Sequence, residues 1–95
     1  MFRSRLRPDA GDEYGAWAAR MLELARAMPG FVDFKSFHAD DGERVSIITF
    51  DSLETERAWR DHPDHQAAQG LGRDRFYEAY AIQVAEVITE HRFPR

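Results

Sequence analysis

Side chains along this chain alternate with two different periods, and the switches between them mark out its elements. From Met1 to Arg7 the step is two, with Phe2, Ser4 and Leu6 against Arg3, Arg5 and Arg7, which predicts a strand ended by Pro8. From Asp12 to Met28 the step lengthens. Tyr14, Trp17, Ala18, Met21, Ala25 and Met28 recur every third or fourth position, with Leu22 and Leu24 widening the stripe, so this spacing predicts a helix that Pro29-Gly30 stops. Two runs rich in aromatic and β-branched residues follow, F-V-D-F-K-S-F-H and R-V-S-I-I-T-F. Between them Asp40-Asp41-Gly42 offers a glycine for positive φ, and the three pieces predict a hairpin. Asp51 or Ser52 caps a short helix through Arg60, with Glu54 in the first turn where its charge meets the helix dipole favourably. His62-Pro63 ends that helix, and Pro63 suits the first position of a further helical turn to about Gln69. Gly70-Leu71-Gly72 reads as a loose connector. From about Phe76 to Ile88 the alternation returns, with Tyr80, Ile82 and Val84 on one side, and Thr89 to Arg95 reads as a polar tail.

The resulting order is strand, helix, strand, strand, helix, strand. That is the βαββαβ pattern of the α+β, ferredoxin-like folds, with both helices on one face of a four-stranded antiparallel sheet. We expect one domain over residues 1–95, with its core in about 1–88 and a tail at 89–95. The strands are apolar in both registers, Phe31 and Phe37 against Val32 and Phe34, Val45 and Ile47 against Ile48 and Phe50. A sheet wetted on one side would alternate cleanly, so the second face is expected to be buried against another copy, as a homodimer.

Composition narrows the function classes. At 95 residues the chain buries roughly two thirds of its unfolded surface, enough for one core but not for a deep enclosed pocket beside it. A net charge of -4 argues against nucleic acid as a partner. Apolar runs are too short to cross a bilayer, and M-F-R-S-R-L-R lacks the apolar core of a signal peptide, so the expectation is a soluble cytoplasmic protein with no membrane partner. Without cysteine there is no disulfide, thiolate nucleophile or cysteine-ligated zinc.

The segments M-P-G-F-V-D-F-K-S-F, D-D-G-E-R-V-S-I-I-T-F-D-S-L-E, A-W-R-D-H-P-D-H-Q-A-A-Q and R-F-Y-E-A-Y-A-I-Q-V-A-E-V resemble the antibiotic biosynthesis monooxygenase family. The resemblance spans Pro29 to Val87, with the first strand and helix similar in pattern. It implies a dimeric α+β barrel in which two sheets pack together. It also implies one of several activities: oxidation of anthrone-type aromatics by oxygen without a cofactor, oxidation of quinols, or degradation of haem. The haem-degrading members carry an asparagine on the first strand, a tryptophan in the second helical region and a histidine further along. Here the corresponding positions hold Ser4, Trp59 and Gln69, and Gln69 cannot replace an imidazole on iron.

The leading expectation is therefore a monooxygenase that uses no cofactor or metal and oxidises a small aromatic phenol, quinol or anthrone. A non-catalytic dimeric barrel holding a hydrophobic ligand is the alternative, and haem degradation a more distant one. Trp59, Phe76, Tyr77 and Tyr80, with Phe34, Phe37 or Phe50 from the hairpin, are the candidate aromatic walls. A base would come from His62, His65 or His38, and Arg73 or Arg75 would hold a phenolate. Asp61, His62, Asp64 and His65 invite a metal reading, but Pro63 interrupts the helix face that the two histidines would share. Trp17, inside the strongest apolar stripe, reads as core. G-L-G-R at 70–73 lacks the context of a phosphate loop, and the charges of E-T-E-R and R-D-R read as a solvated face.

Overall fold

A computed structural model of the chain describes residues 1–94. Its elements are β1 (Phe2–Leu6), α1 (Glu13–Arg26), β2 (Phe31–His38), β3 (Arg44–Phe50), α2 (Leu53–Asp61), α3 (Pro63–Arg75) and β4 (Tyr77–Ile82). The strands form one antiparallel sheet in the order β2-β3-β1-β4, the ferredoxin-like arrangement expected from the alternation of periods.

Register assigns each side chain to a face, because residues directly opposite in a ladder point the same way. The pairs His38↔Arg44, Arg44↔Ser4, Ser4↔Tyr80 and Ser36↔Ser46 put those residues on one side together with Phe2. Phe2 meets Tyr77 there, and the Arg44 guanidinium reaches Tyr14 of α1, so this is the helix side. Arg3, Arg5, Phe37, Val45, Ile47, Ala79 and Ala81 take the opposite, open side.

Most of the buried apolar side chains are aromatic. Trp59, Phe76 and Tyr77 are each less than a tenth exposed, and Ala25 of α1 is fully covered. Two glycines are fixed by what surrounds them. Gly30 has φ +82°, and a Cβ there would lie 2.5 Å from Asp51 Oδ1. At Gly72 a Cβ would lie 2.9 Å from Tyr77 Cε2 and 3.0 Å from Trp17 Cζ2.

Two boundaries differ from the sequence reading. Residues 70–72 are not a connector, because α3 runs through them to Arg75. Gly72 serves close ring packing inside a helix. The end of α3 is held from outside the helix by Arg7, which donates from Nε to the Tyr77 carbonyl, Nη1 to Asp74 and Nη2 to Arg73, at 3.0 to 3.2 Å. The last strand stops at Ile82 rather than Ile88, although the alternation continues. Its neighbour β1 runs out: Gln83 N–H bonds the Met1 carbonyl, and beyond that point no strand among the described residues lies alongside to pair with. Val84, Val87 and Ile88 are left exposed.

Candidate functional site

The candidate aromatic residues fall into two clusters at opposite edges of the sheet. At the β1–β4 edge, Phe76 and Tyr77 pack with Tyr14 and Trp17 of α1 at centroid separations of 5.4 to 6.1 Å. Phe2 and Tyr80 extend this cluster along the sheet. The indole N–H of Trp17 donates to the Ala68 carbonyl at 3.1 Å, so its one polar atom is satisfied. Burial, with the neighbouring Tyr14 hydroxyl, pushes the Tyr77 phenol well above the ordinary tyrosine range, which keeps it protonated.

At the β2–β3 edge, Trp59 of α2 stacks on His65 of α3 with ring centroids 3.9 Å apart and planes 9° from parallel. Phe50 lies 6.5 Å from Trp59, and Phe31 packs edge-on to Phe50. Pro63 creates this stack. The α2 to α3 corner bends the chain between Trp59 and His65 so that the second ring folds back over the first.

The two histidines of the corner do different work. His62 is the N-cap of α3, its Nδ1 accepting the Asp64 N–H at 3.1 Å, which places its ring proton on Nε2. His65 Nδ1 lies 3.0 Å from the Trp59 carbonyl. A carbonyl can only accept, so Nδ1 carries the proton there and Nε2 keeps its lone pair. Burial lowers the pKa of His65, assisted by His62 and opposed by the Trp59 carbonyl and Glu56, and the ring is neutral at pH 7. Among the described residues Nε2 has no hydrogen-bond partner. Close by on α2, Glu56 pairs through Oε1 with Arg60 Nε at 3.0 Å, while its Oε2 is buried without a partner.

The remaining candidates are more scattered. Tyr80 is half-buried and accepts from Arg73 Nη1 at 3.1 Å. Arg75 pairs with Glu13 at 2.7 Å. Phe37 lies on the open face opposite Val45 and does not meet Trp59. His38 is exposed, in register with Arg44; Ser4 is buried on β1, and Gln69 is half-buried on α3. Among the described residues no group of three His, Asp or Glu is placed to hold a metal ion, and no helix is long and apolar enough to cross a membrane.

Sequence reasoning missed Arg44, Tyr14 and Glu56. Arg44 reaches over the Tyr14 ring, its guanidinium carbon 5.0 Å from the centroid. The available signal was parity: Arg44 shares its alternation with Ser46, Ile48 and Phe50, so a charged residue stands in the inward register of β3.

The model of the antibiotic biosynthesis monooxygenase family matches residues 1–71 of this sequence. The chain belongs to that family. The protein YqjZ of Bacillus subtilis (strain 168), itself uncharacterized, is 40% identical over 80 residues, covering 84% of this chain and 70% of YqjZ. Rv0793 from Mycobacterium tuberculosis superposes with a TM-score of 0.79 at 22% identity, covering 96% of this chain and 94% of its own. SnoaB from Streptomyces nogalater, a cofactor-independent oxygenase, superposes with a TM-score of 0.69 at 16% identity, covering 94% and 93%. Identities this low establish a shared family fold and leave the reaction to be argued from the site.

Proposed function

We propose that this family member is a cofactor-independent monooxygenase that oxidises a small phenol, quinol or anthrone-type ring with molecular oxygen. The observation that carries the reading is the Trp59–His65 stack. It joins a flat aromatic surface to a neutral imidazole whose Nε2 has a free lone pair.

The chemistry asks for little else. Nε2 removes the acidic proton of the substrate, leaving an electron-rich anion that reduces oxygen directly. For an anthrone-type ring, a CH₂ becomes C=O; one atom of O₂ enters the product, and the other leaves with the two hydrogens as water. Trp59 and Phe50 supply the apolar wall, and the family membership and the SnoaB fold support the same reaction type.

The working unit in this proposal is a homodimer joined through the open sheet face. Phe37 and Ile47 are 47% and 39% exposed, and Val84 and Val87 add unpaired apolar surface beyond β4. Light scattering on purified protein should give twice the chain mass, and a monomer at micromolar concentration would remove this part of the proposal.

Oxygen uptake with anthrone and hydroquinone substrates tests the activity. Wild type should consume oxygen above buffer, while His65→Gln should lose about 10²-fold or more, the range for removal of a positioned base, and Trp59→Ala should lower uptake through loss of the wall. Uptake equal to buffer across the panel would reject catalysis.

A further inference from the structure

Of the charged side chains in E-T-E-R, Glu54 and Arg57 are exposed, as a solvated face requires. Glu56 is not. Its side chain is only 20% exposed, and it stands one turn before Trp59 on α2, on the flank of the helix that carries the Trp59–His65 stack. Its pairing with Arg60 is incomplete. Oε1 lies 3.0 Å from Arg60 Nε, yet Arg60 Nε and Glu56 Oε2 are both buried without a hydrogen-bond partner, so the N–H is not directed at the carboxylate. The contact is one of charge alone. An ordinary i,i+4 pair on a helix surface keeps its carboxylate in water, but neither the protein nor solvent brings a donor to Glu56 Oε2.

The stack supplies a positive charge for this carboxylate to meet. When Nε2 takes the substrate's proton, His65 carries two N–H groups and a full charge in a buried position, with the Trp59 carbonyl facing one of them. Burial opposes that charged state, as does His62 at the corner, while the Trp59 carbonyl and Glu56 favour it. Among the described residues α1 and β4, which also pack on α3, add no charged group to these influences. Glu56 is the full negative charge that acts on the ring, and the Met1 ammonium at the head of β1 feels it too.

We infer that Glu56 is the positioning residue of the site: its carboxylate stabilises the charged His65 ring between removal of the substrate's proton and return of that proton to the oxygen that leaves as water. This rests on the reading of His65 as the base. The proton passes from substrate to Nε2 and back to the reduced oxygen, and no bond to Glu56 forms or breaks.

Two measurements test it, an NMR titration of the His65 ring, assigned by comparison with His65→Gln, and the pH profile of oxygen uptake with anthrone and hydroquinone. Glu56→Gln removes the charge and keeps the shape, so the ring should titrate at lower pH than in wild type and the acidic limb of the profile should move with it. A weaker base is also a slower one. The plateau rate should fall about 10-fold with KM little changed, a part of the roughly 10²-fold that loss of the base itself costs. Arg60→Gln, at a side chain 41% exposed, frees the same carboxylate from its counter-charge and should move both readings to higher pH. Thermal midpoints confirm that the variants fold. A His65 titration unchanged in both variants, or a rate loss in Glu56→Gln with the acidic limb fixed, would overturn the assignment and leave Glu56 as a structural partner of Arg60. The titration needs no turnover. If the ring responds to both variants and no substrate is oxidised, it is the oxygenase reading that fails; if oxygen is consumed and the ring responds to neither, it is the role of Glu56.

Discussion

At the β1–β4 edge, Phe76 and Tyr77 are enclosed by Tyr14 and Trp17 in edge-on and tilted contacts; at the β2–β3 edge, Trp59 lies flat on a histidine above Phe50. Both clusters bury large rings against the same sheet. Their polar atoms set them apart. The Trp17 N–H in the first cluster already has its acceptor, and the buried Tyr77 phenol stays protonated. Around the second stand His65 Nε2 with a free lone pair and Glu56 Oε2 buried without a donor. Aromatic content alone thus does not separate core from site. Unpaired hydrogen-bonding capacity distinguishes the second cluster, in the buried Glu56 Oε2 and the lone pair of His65 Nε2, and it is the ground on which that cluster is proposed as the site.

The largest effect should come from breaking the enclosed cluster. Phe76 is 3% exposed, so Phe76→Ala should lower the unfolding free energy by about 3–5 kcal/mol, measured by urea denaturation. A loss under about 1 kcal/mol would mean that these rings are not the core. Overpacking the same cluster should cost less. The Cβ of Gly72→Ala falls 2.9 Å from a Tyr77 ring carbon and 3.0 Å from a Trp17 ring carbon, and about 1–3 kcal/mol should be lost as the rings shift. Gly70→Ala, whose Cβ would approach nothing closer than a side-chain nitrogen of Arg73 at 3.6 Å, is the control and should be neutral or slightly stabilising.

Those two glycines also show what the sequence could and could not reveal. Alternation and helical spacing were enough to order the elements and to suggest the sheet, because period is a local property. Gly70 and Gly72 read as a connector because the reason for Gly72 is tertiary: two rings that are distant in sequence meet over it. The end of β4 was hidden for a related reason, since a strand needs a partner and the chain keeps alternating after β1 has run out. Trp59 was legible as a candidate. Its stacking partner was not, because Pro63 creates that contact through a bend whose geometry no spacing rule supplies. Phe37 and Phe34 were visibly on opposite registers, but only the packing of the helices decides which register faces the site.

Acidification offers a gentler perturbation of the second cluster. The pKa of His65 is lowered by burial in the folded state, so the unfolded chain binds its proton more readily. The stability linked to this group is present in full above the unfolded value of about 6.5 and is lost as pH falls from there through the folded pKa. Thermal midpoints of wild type should drop over that window, and His65→Gln should flatten the part of the drop that this ring causes. An unchanged pH profile in the variant would show that the ring titrates as an exposed histidine does.

The smallest effect separates the two histidines of the corner. His62 holds α3 by accepting the Asp64 N–H, a task that asparagine can perform with its side-chain oxygen and alanine cannot. His62→Ala should therefore cost about 0.5–2 kcal/mol and His62→Asn close to nothing, and neither substitution should change oxygen uptake measured well below the melting temperature. The tautomers explain the asymmetry. In His62 the acceptor nitrogen is occupied by the backbone and the other nitrogen carries a proton, whereas in His65 the backbone takes the proton and frees the lone pair. If His62→Asn abolished uptake while preserving the thermal midpoint, the base would have to be assigned to His62, and α3 would have to begin with a cap that opens during turnover.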